Sequence, residues 1–126
     1  MKSIEIRKPL KNVTKGWGEE VWIVNNDEYC GKILKFNNGA RFSMHYHINK
    51  EETFFVSKGK LSLKSINLEN AEEFTKEINA GDVVDIPRFA PHQLTALEDS
   101  EIIEFSTHHE DSDSYRIAKG DSQIWI

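Results

Sequence analysis

Arg41-Phe42-Ser43-Met44-His45-Tyr46-His47-Ile48-Asn49-Lys50-Glu51-Glu52-Thr53-Phe54-Phe55-Val56-Ser57-Lys58-Gly59 carries both the fold and the chemistry of this chain. Arg41 to His47 alternates and reads as a strand. Two imidazoles separated by one residue on a strand share a face, about 6–7 Å apart at Cα, so both rings can close on one ion. Ile48-Asn49-Lys50-Glu51 has turn-like polar character and ends that strand. A second strand starting at Glu52 then returns its carboxylate to the imidazole side. Glu52 inward places Phe54 and Val56 in the same interior, with Thr53, Phe55 and Ser57 outward. The outward Phe55 is a candidate subunit contact. Glu51 sits one register off and is the competing ligand. Downstream, His92 follows Pro87-Arg88-Phe89-Ala90-Pro91, whose two prolines stiffen the approach of a third imidazole. Three imidazoles and a carboxylate suit one divalent ion of the Zn, Mn, Fe(II) or Ni kind.

Outward from this stretch, short runs of β-branched and aromatic residues alternate with turn residues. Val21-Trp22-Ile23-Val24 ends at Asn25-Asn26-Asp27, and Gly31 to Phe36 ends at Asn37-Asn38-Gly39. Lys58-Gly59 is a tight connection into the run Lys60 to Ile66. Gly81-Asp82 opens Val83 to Ile86, which Pro87 closes, and Glu101 to Ser106 is the last strong strand. Leu68 to Lys76 alone has helix-forming composition; short and acidic, it reads as a solvated connection with room for one or two turns. Without helices spaced between the strands a doubly wound α/β design is excluded. The expectation is an all-β antiparallel sandwich or barrel, one domain over residues 1–126.

The 126 residues suffice for one core, and 38% hydrophobic content with seven Phe and three Trp is globular. A net charge of −5 and no basic tract argue against nucleic acid. No stretch approaches the ~18 apolar residues of a membrane span, and the opening Met1-Lys2-Ser3-Ile4-Glu5 has no apolar run of a secretory signal. Cys30, the single cysteine, reads as a small buried hydrophobe and fits a reducing cytoplasm. Trp17, Trp22 and Trp125 read as core or interface residues. Glu110-Asp111-Ser112-Asp113 reads as a solvated turn.

Gly39, five residues, His45-Tyr46-His47, four residues, Glu52, six residues and Gly59 together resemble the first cupin motif. Gly81, five residues, Pro87 and then His92 resemble the second, with Phe89 where the family usually has Gly and Ala96 where it often has Asn. The resemblance implies a jelly-roll β-barrel, often a homodimer, with His45, His47, Glu52 and His92 holding one divalent ion in the barrel mouth. Gly16-Trp17-Gly18-Glu19-Glu20 and the segments Glu104-Phe105-Ser106 and Asp113-Ser114-Tyr115-Arg116 are similar to the cupin domain of type II mannose-6-phosphate isomerases. Ser43 and Ile48 depart from the Gln and Arg of that family. This narrower likeness implies a small-molecule substrate, a sugar or sugar phosphate, and proton transfer between C1 and C2 with Glu104 or His109 as base. Arg41, Arg88 and Arg116 are candidate partners for a substrate phosphate or carboxylate. A cupin dioxygenase and a non-catalytic sugar- or small-acid-binding cupin are the alternatives, since one barrel hosts many functions.

Overall fold

The computed structural model describes residues 1–123, so Trp125 lies outside the described residues. Among the described residues, eleven strands form two antiparallel sheets. The first has the order β1 (Lys11–Lys15), β2 (Gly18–Asn25), β3 (Cys30–Phe36), β10 (Ser100–Ser106), β5 (Glu52–Lys58), β8 (Val83–Ile86). The second runs β11 (Tyr115–Ala118), β4 (Met44–Tyr46), β9 (His92–Ala96), β6 (Lys60–Ile66), β7 (Glu73–Asn79). No helix among the described residues is long and apolar enough to cross a membrane.

Period-two alternation decides which side chains meet between the sheets. Leu34 and Phe36 on β3, Phe54 and Val56 on β5 and Ile102 on β10 face Leu61 and Leu63 on β6 and Leu94 on β9. Phe54, Val56, Leu61, Leu94 and Ile102 retain at most 1% exposure, which makes this the core. Trp17 stacks on Phe36 with ring centroids 4.6 Å apart and closes one end. Gly59, between β5 and β6, has φ +91°, and a Cβ there would collide with Ser100.

The inward Phe54 and Val56 and the half-buried, outward Phe55 follow the alternation read from sequence. Ile33, Ile103, Phe55 and Val83 stand opposite one another across four strands on the outer face of the first sheet. Cys30 and Trp17 are buried as expected.

Three segments differ from the expectation. Glu73–Asn79 is a strand laid antiparallel along β6, with Glu73 opposite Ile66 and Asn79 opposite Lys60. Its helix-forming composition yields to an available ladder and to Ile78, which is buried in the core. Around Arg41 to His47 the regular ladder covers only Met44–Tyr46, with Arg41 in an isolated bridge to Thr95. Within Glu110 to Asp113 the chain makes a 3₁₀ turn over Asp111–Asp113, and Asp113 is buried.

Candidate metal centre

His45 on β4 stands directly opposite His92 at the start of β9. His47 follows one residue after β4 ends, and Glu52 opens β5 in the opposite sheet. The imidazoles of His45, His47 and His92 present nitrogen atoms that all lie within 4.8 Å of one another, a spacing able to hold one metal ion. Ring centroids are 4.5 Å apart for His45 and His92, and 5.0 Å for His45 and His47. Phe42 and Phe54 pack edge-on against this group and give it an apolar floor.

Each imidazole is oriented by a backbone carbonyl. His45 Nδ1 bonds to Ser43 O at 2.7 Å, His47 Nδ1 to Asp113 O at 2.8 Å and His92 Nδ1 to Ala90 O at 3.0 Å. A carbonyl only accepts, so the proton of each ring sits on Nδ1 and the lone pair on Nε2. All three Nε2 atoms are thus free as ligands. Glu52 lies beside two of them, Oε1 3.6 Å from His47 Nε2 and Oε2 3.2 Å from His92 Nε2. His92 Nε2 and Glu52 Oε2 are buried, and neither makes a hydrogen bond among the described residues. Orphaned buried polar atoms are costly, and a divalent ion between them would satisfy both. The residues fit the group.

Protonation supports that fit. Burial pushes His45 well below the usual imidazole range, helped by His92 and His47 beside it. Burial also lowers His47. Burial alone would raise Glu52, but the Lys50 ammonium leads the opposing interactions that hold the carboxyl well below its usual value. Neutral imidazoles and an ionised carboxylate are the states that ligate metal.

Lys50 is the residue the sequence reading passed over. Its ammonium, 2% exposed, contacts Glu104 Oε2 at 2.7 Å, Glu52 Oε1 at 3.1 Å and His109 Nδ1 at 2.9 Å. Burial disfavours its charge, but the two carboxylates outweigh that and raise its pKa. A lysine only donates, so His109 Nδ1 accepts, and Nε2 donates to Asp111 Oδ1 at 2.8 Å. Burial, then the Lys50 and Lys32 ammoniums, pull the His109 pKa down to about 4. Glu104 is buried on the inward face of β10; its Oε2 also accepts from Ser106 Oγ at 2.9 Å. Among the described residues Glu104 Oε1 has no such partner.

Asp113 was also missed. Its carboxylate accepts the backbone N–H groups of Ile48, Asn49 and Lys50 at 3.0–3.2 Å, pinning the turn between His47 and Glu52. The expected solvated turn is therefore partly an internal clamp.

These groups line one cavity of about 290 Å³. Lys15, Lys32, Lys50 and Arg116 contribute positive charge to its wall, balanced by Glu20, Glu52, Glu104 and Asp111. His45, His47, Glu52, His92, Glu104, His109 and Arg116 thus converge there. Arg41 and Arg88 do not. Arg88 is directed to Asn49 O and to Glu51 Oε2, at 3.0 and 3.1 Å, and Glu51 is exposed away from the imidazoles.

A family model described as Cupin matches residues 18–122. Comparison with curated protein sequences returns no match. Among solved structures, CapF bound to the inhibitor 3-isopropenyl-tropolone is similar with TM-score 0.76 and 21% identity, covering 87% of this chain and 34% of that one. The capsular polysaccharide assembling protein CapF of Staphylococcus aureus gives TM-score 0.75 and 20% identity over 89% of this chain and 33% of its own. Oxalate decarboxylase of Bacillus subtilis gives 0.76 and 17%, over 85% of this chain and 30% of that one. The chain spans about a third of the length of these neighbours, whose likeness is one of fold. The facing antiparallel sheets form a jelly-roll barrel with three histidines spaced so that they could hold a metal, and the chain belongs to the cupin family.

Proposed function

We propose that this cupin is a metal-dependent enzyme that isomerises a sugar or sugar phosphate, as the mannose-6-phosphate isomerase type does. His45, His47, His92 and Glu52 are the ligands in this reading. When bound, a divalent ion supplies Lewis acidity toward adjacent hydroxyl and carbonyl oxygens and lowers the barrier to loss of the C2 proton. The observation that carries the reading is Glu104: a buried carboxylate on the cavity wall, fixed through Oε2 by Lys50 and Ser106, with no hydrogen-bond partner for Oε1 among the described residues. Glu104 Oε1 takes the C2 proton and returns it to C1. Lys50 pairs with both Glu52 and Glu104 and helps hold the Glu52 carboxyl well below its usual value. His109 has its Nδ1 lone pair engaged by Lys50, so its part is to orient the ammonium rather than to move the substrate proton.

Manganese is the first metal to test, since Mn(II) centers are named for the oxalate decarboxylase of Bacillus subtilis. We infer a homodimer joined through the outer row Ile33, Ile103, Phe55 and Val83, checked by sedimentation equilibrium. The lone buried Cys30 suits the cytoplasm. The test of the reaction is solvent-deuterium exchange at C2 of mannose 6-phosphate or fructose 6-phosphate, followed by NMR with Mn²⁺-loaded protein. Glu104→Gln should abolish exchange while keeping the metal; exchange at the wild-type rate in that variant removes Glu104 as base. Oxygen uptake with an iron-loaded sample and no exchange would turn the assignment to a dioxygenase.

A further inference from the structure

Lys32 breaks the pattern of its strand. The inward row of β3 is Cys30, Lys32, Leu34 and Phe36, so a cation occupies a position that alternation reserves for apolar residues. Its side chain is 3% exposed and its ammonium lies 4.0 Å from the centroid of the Trp22 ring. Among the described residues its only polar partner is Glu20 Oε1, at 3.4 Å. That oxygen already accepts from Trp22 Nε1 at 2.9 Å. An ammonium has three donors, and a buried one is costly unless they are used. Lys50, the other buried lysine, uses all three on protein. Lys32 uses one, weakly, and lines the metal cavity.

The charge balance points the same way. The side chains of the cavity wall sum to zero, so a bound divalent ion leaves two positive charges uncompensated. Neutral substrates would leave them so; an anionic one would not. Arg116 is exposed and suits steering rather than fixed recognition.

We propose that Lys32 is the specificity residue of the cavity, taking a phosphate or carboxylate group carried by the substrate whose oxygens face the metal centre. The proposal deepens the isomerase reading and rests on its placement of substrate in this cavity. It is tested by calorimetric titration of Mn²⁺-loaded protein with D-fructose 6-phosphate, D-galacturonate and neutral D-fructose, the two anions separating phosphate from carboxylate as the source. A charge-assisted contact in a buried site is worth about tenfold or more in affinity. Wild type should therefore bind one of the two anions about tenfold more tightly than fructose. Lys32→Met should bring that ratio within about twofold of unity with its manganese content unchanged, and Lys32→Arg should restore it. Retention of the anion preference by Lys32→Met, or no preference in wild type, overturns the proposal. Proton exchange at C2 is read separately: its absence alongside a Lys32-dependent preference removes the isomerase reading and leaves the anion site standing.

Discussion

Lys50→Met is the substitution that most directly tests how the cavity wall is built. The ammonium is 2% exposed and touches Glu52, Glu104 and His109 at 3.1, 2.7 and 2.9 Å. Methionine keeps the volume and removes the charge, leaving two buried carboxylates without a counter-ion. Breaking a buried pair by deleting one partner costs about 3–5 kcal/mol, out of the roughly 5–15 kcal/mol that stabilises a domain. At this chain length that is a fall in Tm of about 10–20 °C. A divalent ion at Glu52 restores part of the missing charge, so manganese should raise the Tm of Lys50→Met by more than that of wild type. Adding Glu104→Gln should recover some of the loss, because one of the stranded carboxylates is gone. The assay is thermal melting by circular dichroism at pH 7, in EDTA and in Mn²⁺. A metal-free Lys50→Met that melts within about 3 °C of wild type would refute the claim that this network is held by its lysine.

Other outcomes follow from the same geometry. Asp113→Ala releases three backbone N–H groups of the turn between His47 and Glu52, and should lower manganese affinity about 10–100-fold, measured by competition with a chelator. Phe89 stands at φ +69° and is 52% exposed, so Phe89→Gly relieves left-handed strain while losing little burial. It should stabilise by up to about 1 kcal/mol in urea titration, since the relief exceeds the extra freedom of the unfolded glycine. Metal-free protein should lose stability as pH falls from about 6.5 toward 4, measured by melting at stepped pH. His109 has its folded pKa lowered to about 4, so in that window the unfolded chain binds the extra proton and acid favours unfolding. His109→Gln should flatten the dependence, with the fall that remains arising from His45 and His47, which are lowered as well.

The parts legible in the sequence were those fixed by local period. His45, His47 and Glu52 could be read because strand alternation and one short turn determine where they point, and the inward Phe54 and Val56 follow from the same rule. His92 was legible through the two prolines that precede it. Lys50 was not, because a lysine in a polar turn looks solvated, and the carboxylate and imidazole that bury it lie on a strand and loop more than fifty residues away. Asp113 was hidden among three other acidic or polar neighbours; only the tertiary approach of the turn after His47 distinguishes it from Asp111, whose side chain is 87% exposed. Lys32 did carry a readable signal, a charge in an apolar inward row. Glu73–Asn79 was misread because composition favours helix there while the neighbouring β6 edge offers a complete ladder. Phe89, recognised in sequence as a departure from the usual glycine, proves to occupy the left-handed conformation that glycine tolerates best.

The proposed ligands come from both layers of the sandwich: His45 and His92 from one, Glu52 from the other. An ion gripped by that set would act as a rivet through the wall, and the halves of the barrel could not slide or peel apart without first breaking coordination. Loading should therefore slow opening more than it shifts the midpoint, with amide exchange retarded on β4, β5 and β9 together rather than strand by strand.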